Sequence, residues 1–158
     1  MTQSTVYVET TVIGHLVGRI RTDPIVAGRQ MVTRQWWPMA LKKHRLFVSR
    51  LVADECGAGD GVAAGERLAV LNSLEFLTAS AETDDLAEQL IAGRAIPETE
   101  PRDAAHVSLA AVHGIGYLVT WNFKHIVNPT TRAIVESICR RAGYEPPLIC
   151  TPDELWEV

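Results

Sequence analysis

The sequence predicts an α/β protein in which a parallel sheet is covered by helices on both faces, and two observations carry that reading. Five short apolar runs, Thr5–Val8, Leu46–Val48, Leu74–Leu77, Tyr117–Val119 and Pro147–Cys150, recur along the 158 residues. Between them lie stretches whose apolar residues repeat at helical spacing. Strands that are apolar throughout rather than alternating are strands buried on both faces. Right-handed crossovers then bring the strand ends onto one edge of the sheet.

Each element follows from local signals. Thr5–Val8 runs into Glu9-Thr10-Thr11, after which Val12, Ile13, Leu16 and Val17 keep helical spacing as far as Gly18. Asp23-Pro24 opens a helix to about Lys43, because proline is tolerated at a first helical position. Ile25, Met31, Val32, Trp36, Met39 and Ala40 form its apolar stripe, and Pro38 implies a kink or break. Trp36-Trp37 reads as core or subunit packing rather than as a stacking surface. Ser49 caps a short helix, Arg50 to Cys56, on which Leu51, Val52 and Glu55 share a face while Asp54 points elsewhere.

A flexible loop, Gly57 to Gly61, leads into a helix from about Val62 to Leu71 and lacks the phosphate-binding GxxxxGK[ST] pattern. Thr83 is expected to cap a helix to about Ala95, with Leu86, Leu90 and Ile91 inward and Asp84, Asp85 and Glu88 outward. Thr99 is expected to cap the alanine-rich helix that follows Pro101 and ends at Gly114. Phe123 to Ile126 forms a tight turn. Asn128-Pro129 begins a helix to about Ala142 with Ile134, Val135 and Ile138 inward, and Thr151-Pro152 begins a terminal turn.

Composition narrows the class. The length suits one domain, 1–158, and no apolar run approaches the roughly 20 residues that span a bilayer. Nothing at the start resembles a secretion signal, so a cytoplasmic location is expected. Three cysteines, at 56, 139 and 150, make no CxxC pair and fit reduced thiols, which leaves zinc little support. Charge is uneven: residues 1–50 hold eight Lys/Arg against two acids, within a chain of net charge −4. That asymmetry permits an anionic ligand near the N-terminal third, while the net charge argues against binding by bulk electrostatics alone.

Position along the elements singles out four residues. Glu9 stands at a strand's carboxyl end, where open parallel sheets bind ligands. Glu55 follows the second strand beside an apolar face, where a carboxylate needs a partner. Asp103 sits in a helix's first turn, where the backbone field favours negative charge. Asn122 closes the strand end Thr120-Trp121-Asn122. Converging at one edge, these hard oxygen donors suit Mg²⁺ or Mn²⁺. A divalent cation there could stabilise charge on a phosphodiester and activate water.

The order of these motifs resembles the PIN-domain family of metal-dependent ribonucleases, which includes the VapC-type toxins of bacterial toxin–antitoxin pairs. The resemblance covers nearly the whole chain. It rests on Tyr7-Val8-Glu9-Thr10-Thr11-Val12-Ile13, Glu55, Asp103-Ala104-Ala105-His106 and Thr120-Trp121-Asn122-Phe123. It implies a three-layer α/β/α domain with a mainly parallel sheet of about five strands, a Mg²⁺ or Mn²⁺ site and cleavage of RNA. It also implies a homodimer and, in toxin systems, a small antitoxin partner.

Two positions depart from the family's pattern. The first acid is usually aspartate and the fourth usually acidic, whereas Glu9 is longer by a methylene and Asn122 is neutral. Thr11 and Thr120 are expected to hydrogen-bond and orient Glu9 and the closing loop. His106, one turn beyond Asp103, reads as packing, and His125 stays open between packing and ligation. Two functions follow: a metal-dependent endoribonuclease acting as a toxin, or a PIN-like protein that binds RNA or a partner and cuts poorly. A nucleotide-binding module is disfavoured because no G-x-G-x-x-G turn follows the first strand.

Overall fold

In the computed structural model, which describes residues 3–156, five strands form one wholly parallel sheet. They are β1 (Ser4–Val8), β2 (His44–Ser49), β3 (Glu75–Leu77), β4 (Tyr117–Val119) and β5 (Leu148–Cys150), in the order β3-β2-β1-β4-β5. Val6, Tyr7 and Val8 of β1 are fully buried, as a central strand covered on both faces requires. The chain builds outward from β1 through β2 to β3, then returns to β1's other side with β4. The topological switch point therefore lies between β1 and β4, and their carboxyl ends open the crevice where such sheets bind ligands. Val8 pairs with Val119 in this register, and the Glu9 N–H donates to the Val119 carbonyl at 3.1 Å.

Seven α-helices among the described residues flank the sheet: α1 (Thr10–Leu16), α2 (Pro24–Lys43), α3 (Arg50–Cys56), α4 (Gly61–Leu71), α5 (Ala81–Ala92), α6 (Pro101–Val112) and α7 (Pro129–Arg141). α1 packs on α2, α3 and α4, and α5 packs on α6 and α7. None is long and apolar enough to cross a membrane. Asp23, Ser49, Asp60 and Asn128 each cap the helix that follows, their side chains accepting backbone N–H groups.

The structure corrects several local expectations. Ser80, not Thr83, caps α5; Thr83 stands three residues inside and returns the bond to the Ser80 N–H. Glu100, not Thr99, is the cap position of α6, and it makes no side-chain cap bond. α2 runs through Pro38 without a break. Its expected stripe is only half right: Trp36 and Ala40 are buried, but Ile25 and Met31 are 65% and 56% exposed. Ile134 of α7, expected inward, is exposed. Trp36 does belong to the core, and its indole N–H donates to the Leu155 carbonyl at 2.9 Å.

Candidate functional site

Each side chain of the site is delivered by the end of an element. Glu9 directly follows β1 and precedes α1, so its backbone is extended and its carboxylate stands in the crevice, 3% exposed. Oε1 of Glu9 accepts from the Thr11 hydroxyl at 2.5 Å and from the Thr120 hydroxyl at 2.6 Å. Oε2 receives no hydrogen bond among the described residues. Thr11 also accepts from the Trp121 N–H at 2.9 Å, and Thr120 from the Asn122 N–H at 2.9 Å. Two threonine hydroxyls thus tie the ends of β1 and β4 together and fix one oxygen of Glu9.

Glu55 reaches the same crevice from α3. Its Oε1 accepts from the Thr10 hydroxyl and from His106 Nε2, both at 2.6 Å, and its Oε2 receives no hydrogen bond among the described residues. Asp54 faces away and pairs with Arg50 on the surface. Burial alone would raise the Glu55 carboxyl. The bonds from His106 and Thr10, with the electrostatic pull of His106 and Arg102, outweigh it and hold the group below its ordinary value.

His106 is fully buried, and both of its ring nitrogens are engaged. Nδ1 meets the Tyr7 hydroxyl at 2.7 Å, and that hydroxyl also meets Ser49 Oγ at 2.8 Å. A bond from Nε2–H to the carboxylate leaves Nδ1 to accept from Tyr7, whose oxygen then accepts from Ser49. This arrangement satisfies every member of the chain. Burial pushes the Tyr7 phenol far above its ordinary value, so it stays protonated. Glu9, Glu55 and His106 each bring a ligand-type atom within 4.8 Å of the others.

Asp103, in the first turn of α6, belongs to an adjoining group with Glu100 and His125, again within 4.8 Å. Asp103 Oδ2 stands 3.1 Å from His125 Nδ1. Asn122 joins this group: its side chain hydrogen-bonds Asp103, and its Oδ1 accepts from the His125 N–H at 3.0 Å. Burial raises the Asp103 carboxyl, with Asn122, His106 and His125 opposing. The two groups meet along one face of α6, where Asp103 and His106 are a turn apart. The four residues expected from sequence therefore fall into two clusters, Glu9 with Glu55 and Asp103 with Asn122, linked through α6, which carries both His106 and Asp103.

Several participants carried weaker sequence signals. Thr10 and Tyr7 hold the site from β1 and its sequel, and Glu100 and His125 flank Asp103. A tyrosine inside a fully buried strand is the clearest of these, since its hydroxyl must find a partner. The thiols take no part: burial pushes Cys56 and Cys139 up to about 11 and Cys150 to about 12.

The donor set fits a hard divalent cation. Glu9 and Glu55 each have one oxygen fixed by protein donors and the other unengaged, and a third carboxylate, Asp103, lies one helical turn from His106, the histidine that holds Glu55. A structural likeness accompanies this geometry. One chain of the crystal structure of VapBC2 from Rickettsia felis bound to a DNA fragment from their promoter superimposes with a TM-score of 0.55 at 17% identity. The match covers 76% of this chain and 89% of that one. It agrees with the expected PIN-like α/β/α fold. No family model matches the sequence, and no curated protein matches it.

Proposed function

We propose that the chain is a PIN-domain, VapC-like endoribonuclease that hydrolyses RNA phosphodiester bonds with Mg²⁺ or Mn²⁺ and serves as the toxin of a toxin–antitoxin pair. The observation that carries this reading is the pairing of Glu9 and Glu55 at the switch point, each carboxylate fixed through one oxygen only. Glu9, Glu55 and Asp103 would hold the metal, and Asn122 would position a ligand or water. Bound there, the cation would supply Lewis acidity and a lowered pKa for water. Thr11 and Thr120 orient Glu9, and Thr10 and His106 orient Glu55, so the unengaged oxygens are pre-aimed before the metal arrives.

Three carboxylates give a formal charge of −3, enough for one cation but sparing for two. One Mn²⁺ binds tightly alone, and a second binds only with substrate phosphate present; calorimetry finding two tight Mn²⁺ ions without RNA would refute this. An antitoxin partner belongs to the same reading, supported by the fold's likeness to a chain of a VapBC2 complex, and a homodimer and a cytoplasmic location are proposed with it. The deciding test is cleavage of a mixed RNA pool by the wild type and by Asp103→Asn, with and without chelator. Cleavage that survives chelation and the substitution sinks the proposal. One feature favours a second reading, a PIN-like RNA- or partner-binding protein with little activity: Asn122 is neutral, and Asp103 bonds to it and His125. Folded, metal-loaded protein that binds RNA without cutting it would establish that alternative.

A further inference from the structure

Beside the carboxylates lies a strip of aromatic rings and arginines that the proposed chemistry leaves unused. Phe123 directly follows Asn122 and is 44% exposed. Its ring packs at a tilt against Trp121, 6.0 Å between centroids, and Trp121 packs at a tilt against His15, also 6.0 Å. The Arg29 guanidinium lies 4.7 Å from the Phe123 ring centre and 5.8 Å from that of Trp121. Trp121 is locked in place: its indole N–H donates to Thr33 at 2.8 Å, and its backbone N–H to Thr11, the residue that holds Glu9.

His15 in turn lines a cavity of about 520 Å³ shared with Arg19, Arg21 and the two threonines that hold Glu55 and Glu9. Its Nδ1–H donates to the Thr11 carbonyl at 2.7 Å. The loop carrying the two arginines is built rather than loose. Buried Gln30 accepts from the Arg21 N–H at 2.8 Å and donates to the Arg19 carbonyl at 3.0 Å. Arg34 ties down the Gly18 carbonyl at 2.7 Å. The Arg19 and Arg21 guanidinium groups are exposed and make no bond to protein among the described residues. The loop is pinned by a buried amide while its cations point to solvent, as an anion-binding surface requires.

We infer that this strip, from Phe123 and Arg29 past Trp121 and His15 to Arg19 and Arg21, is the track for single-stranded nucleic acid, stacking a base on Phe123 and holding backbone phosphates at the arginines. Rings interleaved with arginines are how proteins grip single strands without reading sequence. A duplex offers no free base face to Phe123. The inference deepens the ribonuclease reading, since the track passes the residue that orients Glu9.

The test is fluorescence anisotropy with a fluorescein-labelled oligouridylate of about 12 nucleotides, in chelator so that nothing is cut. Phe123→Ala should weaken binding about 5- to 100-fold, while Phe123→Trp stays near wild type. Replacing both Arg19 and Arg21 by Ala should flatten the slope of log affinity against log salt by about 1.4, two phosphates' worth for a single strand. A duplex of equal length should bind more weakly than the single strand. Unchanged affinity in Phe123→Ala, an unchanged salt slope, or equal binding of duplex each overturns the track. Binding in chelator is independent of cleavage. Absent nuclease activity with these shifts intact refutes only the enzyme reading, and cleavage with unshifted binding refutes only the track.

Discussion

The Tyr7 hydroxyl and His106 Nδ1 meet at 2.7 Å across 99 residues of chain, with neither side chain exposed to solvent. Through this contact the central strand of the sheet sets the ring orientation of the histidine that holds Glu55. A residue with no reach to the crevice thereby governs a carboxylate inside it.

Removing the Tyr7 hydroxyl leaves two buried partners, Ser49 and His106, short of a bond. Tyr7→Phe is expected to cost about 1–3 kcal/mol, read from the midpoint of urea unfolding. It should also weaken Mn²⁺ binding about 10-fold, as loss of an outer orienting group does. Unchanged Mn²⁺ affinity would mean that the contact serves the core alone.

His106→Ala removes the donor to Glu55 and is expected to lower Mn²⁺ affinity by about 10- to 100-fold. His106→Gln, whose amide can still donate toward the carboxylate, should recover part of that loss. Equal affinities for the two variants would argue against orientation through this bond.

Asp103 and Glu55 should respond to pH with opposite signs. The folded-state value of Glu55 is depressed, so its contribution to stability is present above the unfolded carboxylate's pKa, about 4.3, and fades as pH falls through the folded value. Glu55→Gln therefore destabilises the chelated protein at neutral pH and is close to silent in acid. The folded-state value of Asp103 is raised, so its contribution is complete at low pH and is lost as pH rises through that value. Asp103→Asn should melt higher than wild type at neutral pH in chelator, with the advantage vanishing in acid. Parallel unfolding curves at both pH values for either pair would contradict these assignments.

Metal should reverse that ranking. At Mn²⁺ a hundredfold above its dissociation constant, the wild type gains about 2.7 kcal/mol by mass action, and Asp103→Asn gains far less. Thermal melts with and without Mn²⁺ check this, and equal gains in the two proteins would remove Asp103 from the ligand set.

Much of this architecture was legible in the sequence because the strands are short, apolar and separated by clear caps. Glu9 could be placed from its position at a strand end alone, and Thr11 and Thr120 do bond to it. What escaped was side-chain pairing across elements. Nothing in the spacing of Glu100, Asp103 and His125 says that they form a cluster separate from Glu9 and Glu55, since that depends on how α6 meets the turn after β4. The cap slipped by three residues at α5, where Ser80 and Thr83 compete for one role, and by one at α6, where Glu100 takes the position without a side-chain bond. Ile25 and Met31 were assigned inward by helical period, yet α2 has too little neighbouring structure to cover them.

The sheet order has a consequence for how the molecule comes into being. β1 is the first strand made and the central one of the sheet, pairing on both sides, but its neighbour β4 is synthesised more than a hundred residues later. A nascent chain can therefore close the β1–β2 half early while Thr120 and Asn122 are still untranslated. Such distant pairings slow the final collapse. During that interval the growing polypeptide exposes one flank of β1, a period of vulnerability to misassociation that ends only when β4 docks.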